Sequence, residues 1–193
     1  MTRNRLLKGF EVELFTGRAD GRNVGVAARA KRELQGFVTE PDHRNLEYVT
    51  DPLADYDAIS EALLSPRRLL RRWLMEQGLT LLPGSTLSLG DTSRFERSDP
   101  DNAYHSLIET TYGTDVVTAS IHINLGIENP DDLFAALRLV RCEAALLLSL
   151  SASSPFLNGR VTGVHSQRWL QFPLTPARVP LFLNHQHFIT WTN

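Results

Sequence analysis

Gly9-Phe10-Glu11-Val12-Glu13-Leu14-Phe15 alternates acidic and apolar side chains at the two-residue period of a β-strand. Glu11 and Glu13 then face one way, and Phe10, Val12 and Leu14 the other. The apolar face predicts a core behind the strand. The acidic face carries a tension, because neighbouring carboxylates repel and are costly to bury without a partner. Two readings meet the pattern: a solvated sheet face, or a site for a hard divalent cation such as Mg²⁺ or Mn²⁺.

Working outward, Asn45-Leu46-Glu47-Tyr48-Val49 repeats the alternation and predicts a second strand over 44–50, with Phe37–Thr39 leading into it. Pro41 places a turn at Thr39–Asp42. If the two strands are neighbours, Glu47 faces the Glu11–Glu13 pair. Val116–Leu125 is predicted to be the longest strand, with Thr118, Ser120, His122 and Asn124 on one face. That face suits a wet cavity or an exposed sheet surface. His122 is a candidate nitrogen ligand beside Glu11, Glu13 and Glu47, and equally a hydrogen-bonded structural histidine.

Ile59, Leu63, Leu70, Trp73 and Leu74 recur at helical spacing between about Asp55 and Gln77. Pro66 predicts a kink there, or two helices with Ser65 capping the second. Leu79–Leu82 reads as a further strand, Ser88–Asn102 as a long ordered loop, and Tyr104–Thr111 as a short helix. Asn129-Pro130-Asp131-Asp132 is a helix start: a capping amide, a proline at the first position, and acids opposing the positive dipole end. Leu133, Ala136, Leu137, Val140, Ala144, Leu147 and Leu148 are the expected buried stripe of that helix, and Cys142 an expected packed side chain. Strands separated by such helices predict an α+β or mixed α/β domain.

Composition narrows the function classes. The 193 residues carry a formal charge of −2 and show no basic block or aromatic–basic stripe, which gives nucleic-acid binding no support. Arg67, Arg68, Arg71 and Arg72 are interleaved with leucines as the polar face of a helix. Cys142 is the only cysteine, so no internal disulfide forms, as expected in a reducing compartment. Met1–Arg5 lacks the apolar segment of a secretory signal, and Ala144–Leu150 is too short to span a bilayer; cytoplasmic localisation is the expectation. There is no GxxxxGK[ST] loop, no GxGxxG turn and no HExxH, and His165, His185 and His187 have no cysteine co-ligand for zinc. Ser85 and Ser88, flanked by Gly84 and Gly90, are candidate nucleotide or substrate contacts, together with His122 and Asn124. Arg160 and Arg168 are candidate grips for a carboxylate or phosphate.

Several ordered blocks resemble glutamate–cysteine ligases of the cyanobacterial type: Gly9–Glu13, Arg44–Tyr48, Pro83–Asp91, Arg97–Pro100, Tyr112–Thr114, Thr118–Asn124, Ser151–Leu157, and Gly159-Arg160 through Arg168-Trp169. The resemblance implies a glutamine synthetase-like fold, an antiparallel sheet curved around the active site with helices outside. It implies ATP-dependent joining of the γ-carboxylate of L-glutamate to the amine of L-cysteine, the first step of glutathione synthesis. By the resemblance, ATP phosphorylates the γ-carboxylate and the amine attacks the resulting γ-glutamyl phosphate, giving γ-glutamylcysteine, ADP and phosphate. Glu11, Glu13 and Glu47 match the family's acidic metal ligands for Mg²⁺, and His122 its histidine near metal and phosphate. Arg160 and Arg168 take substrate or phosphate roles.

Family members are about twice as long, so residues 1–193 are expected to be the N-terminal part of one catalytic domain, inactive or weak alone. The expected partner is a separately encoded C-terminal half, or a second copy of the chain. The apolar run Phe188–Trp191 has no clear stop, and open apolar sheet edges are expected to favour aggregation. Two other readings stay open: a carboxylate–amine ligase with another amine acceptor, and a metal- or nucleotide-binding remnant without catalysis.

Overall fold

The computed structural model describes residues 6–90, 92–93, 95–113, 117–167, 170 and 180–193. Its central strand, β1 (Leu7–Gly17), is the longest of those described, because it serves three partners. Along one edge it pairs with β3 (Asn45–Val49). Along the other it pairs first with β5 (Ile121–Gly126) and then with β4 (Thr80–Leu82). β2 (Phe37–Thr39) extends the sheet beyond β3, and every pairing is antiparallel. The expected α+β class is what is found: a curled antiparallel half-barrel with helices against it.

The apolar face of β1 forms the predicted core. Val12 and Leu14 join Phe37, Leu46 and Tyr48 against α1 (Ala27–Glu33) and α2 (Tyr56–Met75), through Ala27, Ala30, Leu70 and Leu74. Each fully buried leucine contributes about 1.5–3 kcal/mol relative to exposure. Asp55 caps α2 by accepting from Asp57 N and Ala58 N at 3.1 and 3.0 Å. The helix is continuous through Pro66, so no second helix starts at Ser65. The proline removes one helical hydrogen bond, but Ile59 before it and Leu70 and Leu74 after it are all buried and hold the helix in one piece.

The predicted strand over 116–125 is shorter than expected, beginning at Ile121. β4 already occupies β1 from Phe15 onward. The chain ahead of β5 therefore leaves that edge: Thr118 bridges to Thr86, and Ala119 N donates to Ser85 O at 3.2 Å. With Phe15 and Leu87, Val117 and Ala119 close one end of the inner sheet face. The long loop predicted after residue 88 is followed by α3 (Ala103–Tyr112), in register with the expected short helix.

Asn129 caps α4 (Pro130–Cys142) by accepting from Asp131 N and Asp132 N at 2.8 and 3.1 Å. The chain breaks at Glu143 into α5 (Ala144–Ser151). The stripe expected to be buried here is not: Leu133, Leu137, Val140 and Leu147 are exposed, as is Cys142. Helical spacing builds an apolar face but supplies nothing to cover it. Among the described residues, α6 (His185–Thr192) and Phe182 meet that face around the buried Phe134, with ring centroids 5.6–6.5 Å away. β6 (Phe156–Leu157) and β7 (Arg160–Val161) form a separate hairpin. No helix among the described residues is long and apolar enough to cross a membrane.

Candidate active site

Register brings the sequence-predicted acids together. Glu13 lies directly opposite Glu47 on β3, and Glu11 directly opposite His122 on β5. Directly opposed residues share a face, so alternation carries Glu11, Glu13, Glu47, His122 and Asn124 to the inner surface. Like charges in opposed positions weaken a sheet. The Glu13–Glu47 pair therefore opposes stability where it stands.

Glu11 orders the β5 wall. Its Oε1 accepts from Asn124 Nδ2 at 2.7 Å, and its Oε2 lies 2.8 Å from His122 Nδ1. These contacts, His122 first and Asn124 second, hold the Glu11 carboxyl below its ordinary range. An ionised carboxylate only accepts, so this network assigns the His122 proton to Nδ1. In the neutral ring Nε2 then carries the lone pair; it lies 3.7 Å from Glu13 Oε1. In metal sites a ligating histidine commonly gives its other ring N–H to a carboxylate, which fixes its tautomer and orientation.

Glu40 is a carboxyl that strand reasoning missed. It sits in the turn between β2 and β3 and shares a hydrogen bond with Glu47. Burial, then the charges of Glu13 and Glu47, push Glu40 up to about 8. Glu47 is also raised, chiefly by burial, with the Glu40 hydrogen bond opposing the shift. A turn residue has no alternation to betray its direction. The available signal was the hairpin itself, since pairing of Val38 with Glu47 folds Glu40 back toward the acids.

The turn is anchored by an ion pair that the sequence did not disclose. Asp42 Oδ1 accepts from Arg44 N and Nε at 2.9 and 2.8 Å, and its Oδ2 from Arg44 Nη2 and Glu96 N at 2.8 and 3.0 Å. Asp42 and Arg44 are both buried, and Arg44 Nη1 also lies 3.7 Å from Glu96 Oε1, so breaking the pair would be strongly destabilising.

Four carboxyls and one imidazole suit a hard cation. Burial raises Glu40 first and the neighbouring charges of Glu13 and Glu47 raise it further; a bound cation would oppose that second contribution. Among the described residues no three such groups are grouped as a ready-made metal site; Glu11 is bonded to His122, and Glu40 to Glu47, instead. A cavity of about 250 Å³ adjoins the cluster. Glu13, Glu40 and His122 line it together with apolar Phe95, Ile108 and Val117.

The other predicted contacts lie elsewhere in the network. Ser85 Oγ accepts from Ser153 Oγ at 3.0 Å, and Ser88 O accepts from Gly159 N at 2.6 Å. Gly84, at φ +96°, lets the chain turn close to Ser153 O. These bonds pin the loop after β4 to the β6–β7 hairpin. Arg160 is exposed on β7, without an ion-pair partner among the described residues. Arg168 lies outside the described residues.

The chain is similar to several known proteins. A glutamate–cysteine ligase of Halobacterium salinarum is 29% identical, the match covering 74% of this chain and 38% of the relative. A bifunctional glutathione synthetase from Pasteurella multocida superposes with a TM-score of 0.63 at 19% identity, over 78% of this chain and 24% of that one. A Francisella tularensis glutamate–cysteine ligase solved with AMP gives a TM-score of 0.50 at 17% identity, over 72% of this chain and 30% of that one. Both structural likenesses speak to the fold. The chain spans about half the length, or less, of the curated relatives it matches. Residues 7–193 match the profile described as glutamate-cysteine ligase family 2, and the chain belongs to that family.

Proposed function

We propose that this chain supplies the carboxylate wall of an ATP-dependent ligase that joins L-glutamate, through its γ-carboxylate, to the amine of L-cysteine. The observation that carries the reading is the meeting of Glu11, Glu13, Glu47 and His122 on the inner face of one antiparallel sheet, with Glu40 of the β2–β3 turn hydrogen-bonded to Glu47. Glu13, Glu47 and the Nε2 of His122 are the groups to hold Mg²⁺, with Glu40 joining once it loses its proton. A bound divalent cation would screen phosphate charge as the phosphoryl group moves from ATP to the γ-carboxylate. The nucleotide complex of the Francisella relative supports an adenine nucleotide as the energy source.

The chain's own residues have separable tasks. Glu11 holds His122 in one tautomer and orientation. The Asp42–Arg44 pair fixes the turn that presents Glu40. The cavity beside Glu13 is of a size for a small amino acid, with acids to receive an ammonium and an apolar wall for a short side chain. Arg160, free of ion pairs among the described residues, is the cation to meet a carboxylate or phosphate, and Arg168 shares that assignment. Closing the site against water would protect the acyl phosphate from hydrolysis.

Half-length coverage of the relatives supports a chain that is weak alone and needs the rest of the fold, from a second polypeptide or a second copy. The test incubates the chain with ATP, Mg²⁺, glutamate and cysteine, with and without a polypeptide carrying the other half of a family member. Cysteine-dependent ADP release and γ-glutamylcysteine are expected in the combined sample. Product with another amine in place of cysteine would move the reading to a broader carboxylate–amine ligase. Nucleotide binding with no product from any amine would reduce it to a binding remnant.

A further inference from the structure

Asn45 places a primary amide where an apolar side chain would pack. It lies on β3 two residues before Glu47 and is 2% exposed. Its Oδ1 is buried and has no hydrogen-bond partner among the described residues. Leaving a buried acceptor unpaired opposes folding. What the position uses is the amide nitrogen. Nδ2 donates to Glu13 Oε2 at 3.1 Å and to Thr118 O at 2.9 Å. Two acceptors on that side assign the orientation of the amide. The Ser120 backbone N–H donates to the same Glu13 oxygen at 3.1 Å.

The consequence follows from lone pairs. An ionised carboxylate offers about four acceptor sites, two on each oxygen. Asn45 and Ser120 fill both sites on Glu13 Oε2. Oε1 is left on the side of His122 Nε2, 3.7 Å away. Glu13 is thereby a donor of one oxygen.

We infer that Asn45 is a positioning residue that sets the cation preference of the carboxylate site by restricting Glu13 to single-oxygen contact. Mg²⁺ demands near-octahedral geometry, whereas Ca²⁺ accepts 6–8 ligands and takes carboxylates through one oxygen or both. Holding Oε2 away removes the two-oxygen mode at Glu13. Asn45 thus selects against the larger ion without touching it. The inference rests on the cation reading of the site proposed above.

The test is titration calorimetry of Mg²⁺ and of Ca²⁺ into the 193-residue chain, with circular dichroism to follow folding. Wild type is compared with Asn45→Ala and with the nearly isosteric Asn45→Leu. The affinity for Ca²⁺ relative to Mg²⁺ is expected to rise about tenfold in both variants, as the second oxygen of Glu13 is released. An unchanged ratio in folded variants overturns the proposal. If neither folds, the ratio is read in Asn45→Ser, which keeps a small polar group too short to reach Glu13. A series in which every such substitution unfolds the sheet shows that Asn45 serves the fold alone, and also overturns it. A wild-type chain that binds neither ion contradicts the cation site itself, a result distinct from an unchanged ratio.

Discussion

The two strands that flank β1 build opposite walls of one site in different ways. β3 sends Leu46 and Tyr48 into a core backed by α1 and α2, and its inner face carries the buried Asn45 beside Glu47. β5 presents His122 and Asn124 inward, but Ile121, Ile123 and Leu125 are 58%, 62% and 43% exposed on its other face. One wall is held by its own protein interior. The other is held by pairing to β1 and by the Glu11 hydrogen bonds, with an apolar back that nothing covers among the described residues. The same contrast runs through α4 and α5, where Leu133, Leu137, Leu146 and Leu147 are exposed, whereas Leu70 and Leu74 of α2 are buried.

The largest expected effect separates the walls by stability. Leu74→Ala, behind β3 at a fully buried position, should cost about 2–5 kcal/mol in denaturant unfolding. Ile123→Ala on β5 should cost about 0.5 kcal/mol or less, because its side chain is already largely in water. Equal losses at the two positions would remove the contrast.

The next effect sharpens the β3 wall electrostatically. Glu40 titrates near 8 when folded, against an ordinary value of 4.5. Between those pH values the folded chain keeps a proton that the unfolded chain has lost. Stability from this group is therefore fully present below 4.5 and falls as pH rises toward 8. Urea midpoints across that range should show the decline, and Glu40→Gln, which stays neutral, should flatten it. Mg²⁺ competes with the same proton, so its apparent affinity should rise with pH up to about 8, and less steeply in Glu40→Gln, where only Glu47 still has a raised carboxyl to lose its proton.

The smallest effect concerns association. Ile123→Lys places a charge on the exposed apolar back of β5, and inward or edge charges are a usual defence of open strands. Sedimentation velocity should show less self-association with little change in unfolding midpoint. More association, or a collapse of stability, would mean that Ile123 is already part of the folded core.

How much of this was legible follows from the same physics. Glu11, Glu13 and Glu47 could be placed because alternation fixes a strand's faces, and their convergence needed only that two strands be neighbours. Glu40 could not, since a turn before proline has no period. Neither could the Asp42–Arg44 pair, two polar residues in a turn that close a buried contact with the 95–97 loop. The stripe on α4 and the packed Cys142 failed for another reason. Periodicity reports which side chains share a face, and burial depends on what stands opposite. The length of β5 was overestimated because competition between β4 and β5 for one edge of β1 is a property of the sheet, not of either segment. Asn45 was placed on the face of Glu47 by alternation, but its hold on Glu13 appears only with the cross-strand geometry.

The most direct test is a Mg²⁺ titration of the chain at pH 8, followed by calorimetry, beside Glu13→Gln and Glu47→Gln. Saturable binding to wild type, weakened at least about tenfold by either substitution, is the predicted result; each removes one charged oxygen donor of the site. Binding of equal strength in all three proteins would contradict a cation held between β1 and β3.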